Sequence, residues 1–193
     1  LRNCIEILRN KCSKSTFDGC LTFVIGENGR DLALNSGIQS NQIIKTGNWL
    51  GPLLVAAAEN RVRKLLIFGY HGKLIKLSGG IFHTHHHLAD GRLEILTSLA
   101  VREGISLDLV QLISKSTSVE SALLSLEEID PEAVSLIWSR MAKEIELKSS
   151  SYVNRYLSSS MEIGSVLFDR NRQIRWAGFE GMKQINSLGL ILK

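Results

Sequence analysis

The chain has 193 residues, with 23 Lys and Arg against 19 Asp and Glu, a formal net charge of +4 and 6% aromatics. It is long enough for one domain that buries roughly 70% of its unfolded surface, and no apolar run approaches the ~20 residues of a membrane helix. The modest charge without interleaved aromatics argues against nucleic acid, and Cys4, Cys12 and Cys20, with no Cys-x-x-Cys pair, suit a reducing cytoplasm rather than a disulfide framework or thiolate zinc site.

Leu1 to Asn10 reads as an amphipathic helix with Ile5 and Leu8 on one side. Its interspersed charges do not read as a signal, and a start at Leu1 reads as a fragment. Leu21 to Ile25 is a short strand that stops at Gly26-Glu27-Asn28-Gly29, and Gln42 to Lys45 is a second buried strand. Leu50 to Asn60 predicts a helix with Pro52 in its first turn. Lys64 to Phe68 is a strand that ends in a loop opening at Gly69.

Arg92 to Arg102 predicts a helix with Leu93, Leu96, Leu99 and Ala100 inward, while Leu107 to Ile113 fits strand or helix. Val119 to Leu126 is helical, and Asp130-Pro131 supplies an N-cap and first-turn proline for a long helix from Glu132 to Leu147. The serine-rich stretch Ser149 to Ser160 reads as an exposed loop with a helical turn at Tyr152 to Leu157. Ile163 to Phe168, the turn Asp169 to Arg172, and Ile174 to Ala177 make a C-terminal β-hairpin, with a different sheet as one destination.

Strands alternating with helices predict an α/β fold, a three-layer Rossmann-like domain with a mostly parallel sheet, plus the C-terminal hairpin. The α/β domain is expected over residues 1–150, and the serine-rich connection and hairpin over 151–193.

All five histidines fall within residues 71–87, among Gly69, Gly72, Gly79 and Gly80, Lys73, Lys76, Asp90 and Arg92. Imidazoles beside a backbone with little bulk suit proton transfer, ligation or anion binding. His83, His85 and His87 share a face if the segment is extended. Trp49 reads as core or pocket wall.

The words Gly69-x-x-Gly72-Lys73-x-x-Lys76-Leu77-x-x-Gly80 and Thr84-His85-x-x-x-Ala89-Asp90-x-Arg92-x-Glu94 together resemble the cobalt-precorrin-5B C1-methyltransferase family (CbiD). Asn48-Trp49-Leu50-Gly51 after Lys45, and Gly26-Glu27-Asn28-Gly29, are similar to two further words of that family. The resemblance covers the chain as the C-terminal half of the family's proteins, with the N-terminal half expected to be absent. It implies transfer of a methyl group from S-adenosyl-L-methionine, a co-substrate, to C1 of cobalt-precorrin-5B, a cobalt-containing tetrapyrrole, giving cobalt-precorrin-6A in anaerobic cobalamin (vitamin B12) synthesis.

On that reading Lys73, Lys76 and Arg92 anchor the macrocycle's carboxylate arms, with His83 beside them. His85 orients a carboxylate or moves a proton, and Asp90 fixes its tautomer or caps the following helix. Gly26, Gly29, Asn48, Gly69 and Gly72 approach the methyl donor. No resident metal is expected, because the donor is already activated as a sulfonium; no membrane or nucleic-acid partner is expected, and a homo-oligomer is open. Two other classes stay open. One is a metal-dependent hydrolase using His83-x-His85 plus Asp90. The other is a non-catalytic ligand-binding fragment.

Overall fold

A computed structural model describes residues 1–25, 27–85, 87–88, 90–187 and 189, with backbone only at 27 and 28. The strands are β1 (Cys20–Ile25), β2 (Ile43–Thr46), β3 (Lys64–Tyr70), β4 (Glu162–Phe168) and β5 (Ile174–Ala177). They form one five-stranded sheet in the order β2-β1-β3-β4-β5. The first four run parallel, with Phe23 of β1 opposite both Ile44 of β2 and Ile67 of β3, and β5 closes one edge antiparallel to β4.

Successive side chains leave a strand on opposite faces, and here both faces are covered. Leu21, Phe23, Ile25, Leu65, Ile67, Ile163 and Leu167 enter the larger core. Val24, Leu66, Phe68, Val166 and Phe168 enter the smaller one. Helices α1 (Arg2–Cys12), α3 (Leu50–Glu59), α4 (His71–Ser78), α5 (Arg92–Arg102), α6 (Leu107–Lys115), α7 (Val119–Ile129) and α8 (Pro131–Asn154) build the first side. The smaller core lies under α2 (Glu27–Asn35) and α9 (Phe179–Ser187). The result is the expected three-layer α/β architecture.

Several elements differ from the sequence reading. The loop expected from Gly69 is the end of β3 followed at once by α4. Gly72 lies in the first turn of that helix, where an interior glycine penalty is small. Leu107 to Ile113 resolves as helix. The first half of the serine-rich stretch is helix: α8 starts from Asp130, whose carboxylate accepts the Ala133 N–H at 2.9 Å, and continues to Asn154. Ser149 is fully buried there and Ser150 donates to the Glu146 carbonyl, so small side chains let the helix lie against the sheet. The boundary at residue 150 therefore falls inside α8, and the hairpin joins the main sheet, because β4 pairs with β3 along its whole length.

The site depends on how the strands are wound. From β1 the chain moves through α2 on one face to β2, then through α3 on the other face to β3, which pairs with the opposite side of β1. Between β1 and β3 the winding reverses. In open α/β sheets ligands bind outside the carboxyl ends of the strands at such a reversal. Here those ends lead into Gly69, Tyr70 and α4 on β3 and into α2 on β1.

Candidate functional site

The histidine segment is laid beside the loop that leaves β2. Trp49 and His83 form an isolated antiparallel bridge, and Thr84 N donates to the Asn48 carbonyl at 2.9 Å. The buried Thr84 hydroxyl donates to Asn48 Oδ1 at 3.0 Å. The Phe82 carbonyl accepts from Leu50 N and Gly51 N at 3.0 and 3.2 Å, satisfying two of the otherwise unpaired donors at the start of α3. Asn48 thus pins the segment, and this contact is its observed role.

The imidazoles then follow one another. His83 lies edge-on to Trp49, with ring centroids 4.2 Å apart and the indole 51% exposed. His85 is 6.4 Å from His83 and stacks on His87 at 5.0 Å. His87 N donates to His85 Nδ1 at 3.3 Å, which places the proton of a neutral His85 on Nε2. His83 Nδ1 is buried and has no hydrogen-bond partner among the described residues. Such an atom calls for a ligand or a water.

Asp90 and Arg92 pair through two bonds of 2.5 and 2.9 Å at the surface. The arginine holds the Asp90 carboxyl below its usual range. Asp90 is thus paired with Arg92, while Gly91, at φ 60°, is the N-cap of α5 and makes no side-chain cap there. Lys73 is exposed on the first turn of α4. Lys76, expected to anchor a carboxylate arm of the macrocycle, is 1% exposed. Burial lowers its pKa, with Asp90 opposing and Arg92 reinforcing that shift. Arg92 also feels the Tyr70 phenol. Lys76, Asp90, Arg92 and Tyr70 are thus one electrostatic group, and the β3–α4 junction and the approach to α5 come together.

The glycines act mainly through packing. A Cβ on Gly29 would come within 2.7 Å of Val24 Cγ1, so the residue lets α2 close on β1. A Cβ on Gly69 would be 3.2 Å from the Ile25 Cβ, which lets β3 lie tight against β1 at the switch point. At Gly72 it would lie 3.0 Å from the Tyr70 hydroxyl, since the phenol folds back over the first turn of α4. Gly26 lies outside the described residues.

A second polar group at the same sheet end is not legible in the sequence. His71, 1% exposed, has Nε2 at 2.6 Å from Glu120 Oε2, and the same oxygen accepts the Tyr70 hydroxyl at 3.1 Å. Arg170 Nε donates to that hydroxyl at 3.3 Å from the turn after β4. Burial pushes the His71 pKa down, against the pull of Glu120. The sequence separation of 49 between His71 and Glu120 leaves no local signal.

Among the described residues no three His, Cys, Asp or Glu side chains gather to hold a metal ion, and Asp90 is committed to Arg92. The hydrolase reading draws no support from this arrangement. Two grooves lie elsewhere. One of about 670 Å³, lined by Cys20, Arg63, Lys64 and Glu162 among others, is at the opposite ends of the strands. Another of about 480 Å³ lies between α8 and the start of α9. Neither has the chemical density of the carboxyl ends.

Comparison with known proteins fits the histidine segment into a family. The model of the CbiD C-terminal domain matches residues 83–178, beginning at the first imidazole of the ladder. A protein of Prochlorococcus marinus (strain NATL1A) called cobalt-precorrin-5B C(1)-methyltransferase is 82% identical over all 193 residues. The chain belongs to the CbiD family. Proteins of the same name from the Prochlorococcus marinus strains NATL2A and MIT 9313 are 81% identical over 193 residues and 54% identical over 190. The chain spans about half the length of these CbiD relatives: 51%, 51% and 50%. No solved structure matches it. Among the described residues no helix is long and apolar enough to cross a membrane.

Proposed function

We propose that the full-length protein transfers the methyl group of S-adenosyl-L-methionine to C1 of cobalt-precorrin-5B, with donor and macrocycle meeting at the carboxyl ends of β1, β2 and β3. The observation that carries this reading is the reversal of winding between β1 and β3, at whose ends the histidine segment, Lys73 and the Asp90–Arg92 pair are assembled. The name shared by the relatives supports the reaction.

A sulfonium needs no further activation, so the chain's task is to place donor and carbon in line and exclude water. Gly69 and Gly72, whose side-chain space is taken by Ile25 and Tyr70, let β1, β3 and α4 close tightly where the donor sits, and Asn48 holds the facing wall. Lys73 and Arg92 face the carboxylate arms, Arg92 by exchanging its pairing with Asp90 for a substrate carboxylate. Lys76 supports that pair from beneath. His83, with its unpartnered Nδ1, offers a hydrogen bond to the macrocycle. His85 moves a proton at the macrocycle edge, in the tautomer that His87 N sets.

Full-length protein supplied with methyl-labelled S-adenosyl-L-methionine and cobalt-precorrin-5B is expected to transfer one label to each macrocycle, and to do so equally well after chelation of divalent ions. No transfer, or transfer lost on chelation and restored by one ion, contradicts this reading.

A further inference from the structure

The junction of β3 and α4 is held by a residue from far along the chain. Helix α4 has no side-chain cap and no acidic residue in its first turn, which carries Lys73. Its N-terminal N–H groups therefore lack the nearby negative charge that favours a helix start. Glu120 supplies it. It stands in the first turn of α7, whose own start is fixed by a capping box between Ser118 and Ser121. From there one carboxylate oxygen meets both Tyr70, the N-cap of α4, and His71, its first residue. Two helix N-termini converge on one carboxylate, and its charge is favourable to each.

We propose that Glu120 is a positioning residue of the site: by accepting from Tyr70 and His71 it fixes residues 70–73 in the arrangement that faces the methyl donor. The inference rests on the proposed function, which places the site at this junction. The geometry gives it content. The Tyr70 phenol lies over Gly72, so releasing its hydroxyl frees the ring that defines the surface there, together with Arg170 on the same oxygen. His71 Nε2 is buried, and without Glu120 it has no other acceptor among its observed partners. Through this side chain α7 reaches the switch point.

The test compares Glu120→Ala, Glu120→Gln and Tyr70→Phe with the wild type in full-length protein, reading hydrogen exchange at the amides of residues 71–74 and affinity for S-adenosylhomocysteine. Glu120→Ala is expected to speed exchange at those amides and to weaken S-adenosylhomocysteine binding, each by about tenfold, as for loss of one charged hydrogen-bond acceptor. Glu120→Gln keeps an oxygen acceptor but loses the charge, and should recover part of both. Tyr70→Phe, which removes one hydroxyl and keeps the ring, should show a smaller change of the same kind and covers the case in which Glu120→Ala does not fold. Unchanged exchange in the folded variants, or faster exchange with unaltered affinity, overturns the proposal. Wild-type protein that does not bind S-adenosylhomocysteine overturns the reading of the site itself, and that failure is seen before any variant is compared.

Discussion

His85→Ala in the full-length protein is expected to lower methyl transfer by about 10²-fold or more, the usual loss when a proton-moving side chain is removed. The imidazole is half-buried, stacked on His87, and held by a backbone N–H at Nδ1 that assigns its proton to Nε2. A side chain that only filled space would not need its tautomer set. Steady-state turnover and S-adenosylhomocysteine affinity, measured together, separate the two roles. Turnover should fall while donor-site affinity stays near wild type. Full turnover with a lower melting temperature would make His85 structural.

The largest expected loss of stability is at Gly181, in the first turn of α9. A Cβ there would overlap the Ser165 carbonyl oxygen, and the facing Gly164 has room for its Cβ only within 2.6 Å of the Gly181 Cα. This closeness has a cause. The Glu146 carboxylate, buried between α8 and β4, accepts from Ser165 N and Gly181 N at 3.0 Å each and from Glu180 N at 3.2 Å. Burial pushes its pKa up, and those bonds pull it down. The helix start must sit against β4 for one carboxylate to serve both. Gly181→Ala should therefore cost about 1–3 kcal/mol or more, as overpacking against backbone that cannot move aside. Urea unfolding checks this, and an unchanged midpoint would show that α9 is not pressed on β4.

The strands are readable in the sequence because β1, β3 and β4 are apolar runs buried on both faces, and Asp130-Pro131 marks the start of α8. Glycine and serine mislead. Gly72 and Gly29 have the residue type of loops, yet each lies in the first turns of a helix where a neighbour, Tyr70 or Val24, occupies the space of a side chain. Serines from 149 onward have the composition of a solvated stretch, yet Ser149 is packed. Composition reports polarity, and here small size decides.

The site divides in the same way. His83, Thr84 and His85 are neighbours in sequence, so their closeness is legible. Lys76 reads as a surface cation by residue type, and only the tertiary packing of α4 covers it. Glu120 and Arg170 meet Tyr70 across 50 and 100 residues, distances over which a single sequence carries no pairing signal.

Every role assigned to the site depends on the methyl donor sitting at the reversal between β1 and β3. A crystal structure of the full-length protein with S-adenosylhomocysteine decides this. The ligand is expected at the carboxyl ends of these strands, against Gly69, Gly72 and the Asn48–Trp49 loop. A ligand seated instead at the other end of the sheet, in the groove of Cys20, Arg63, Lys64 and Glu162, would contradict it.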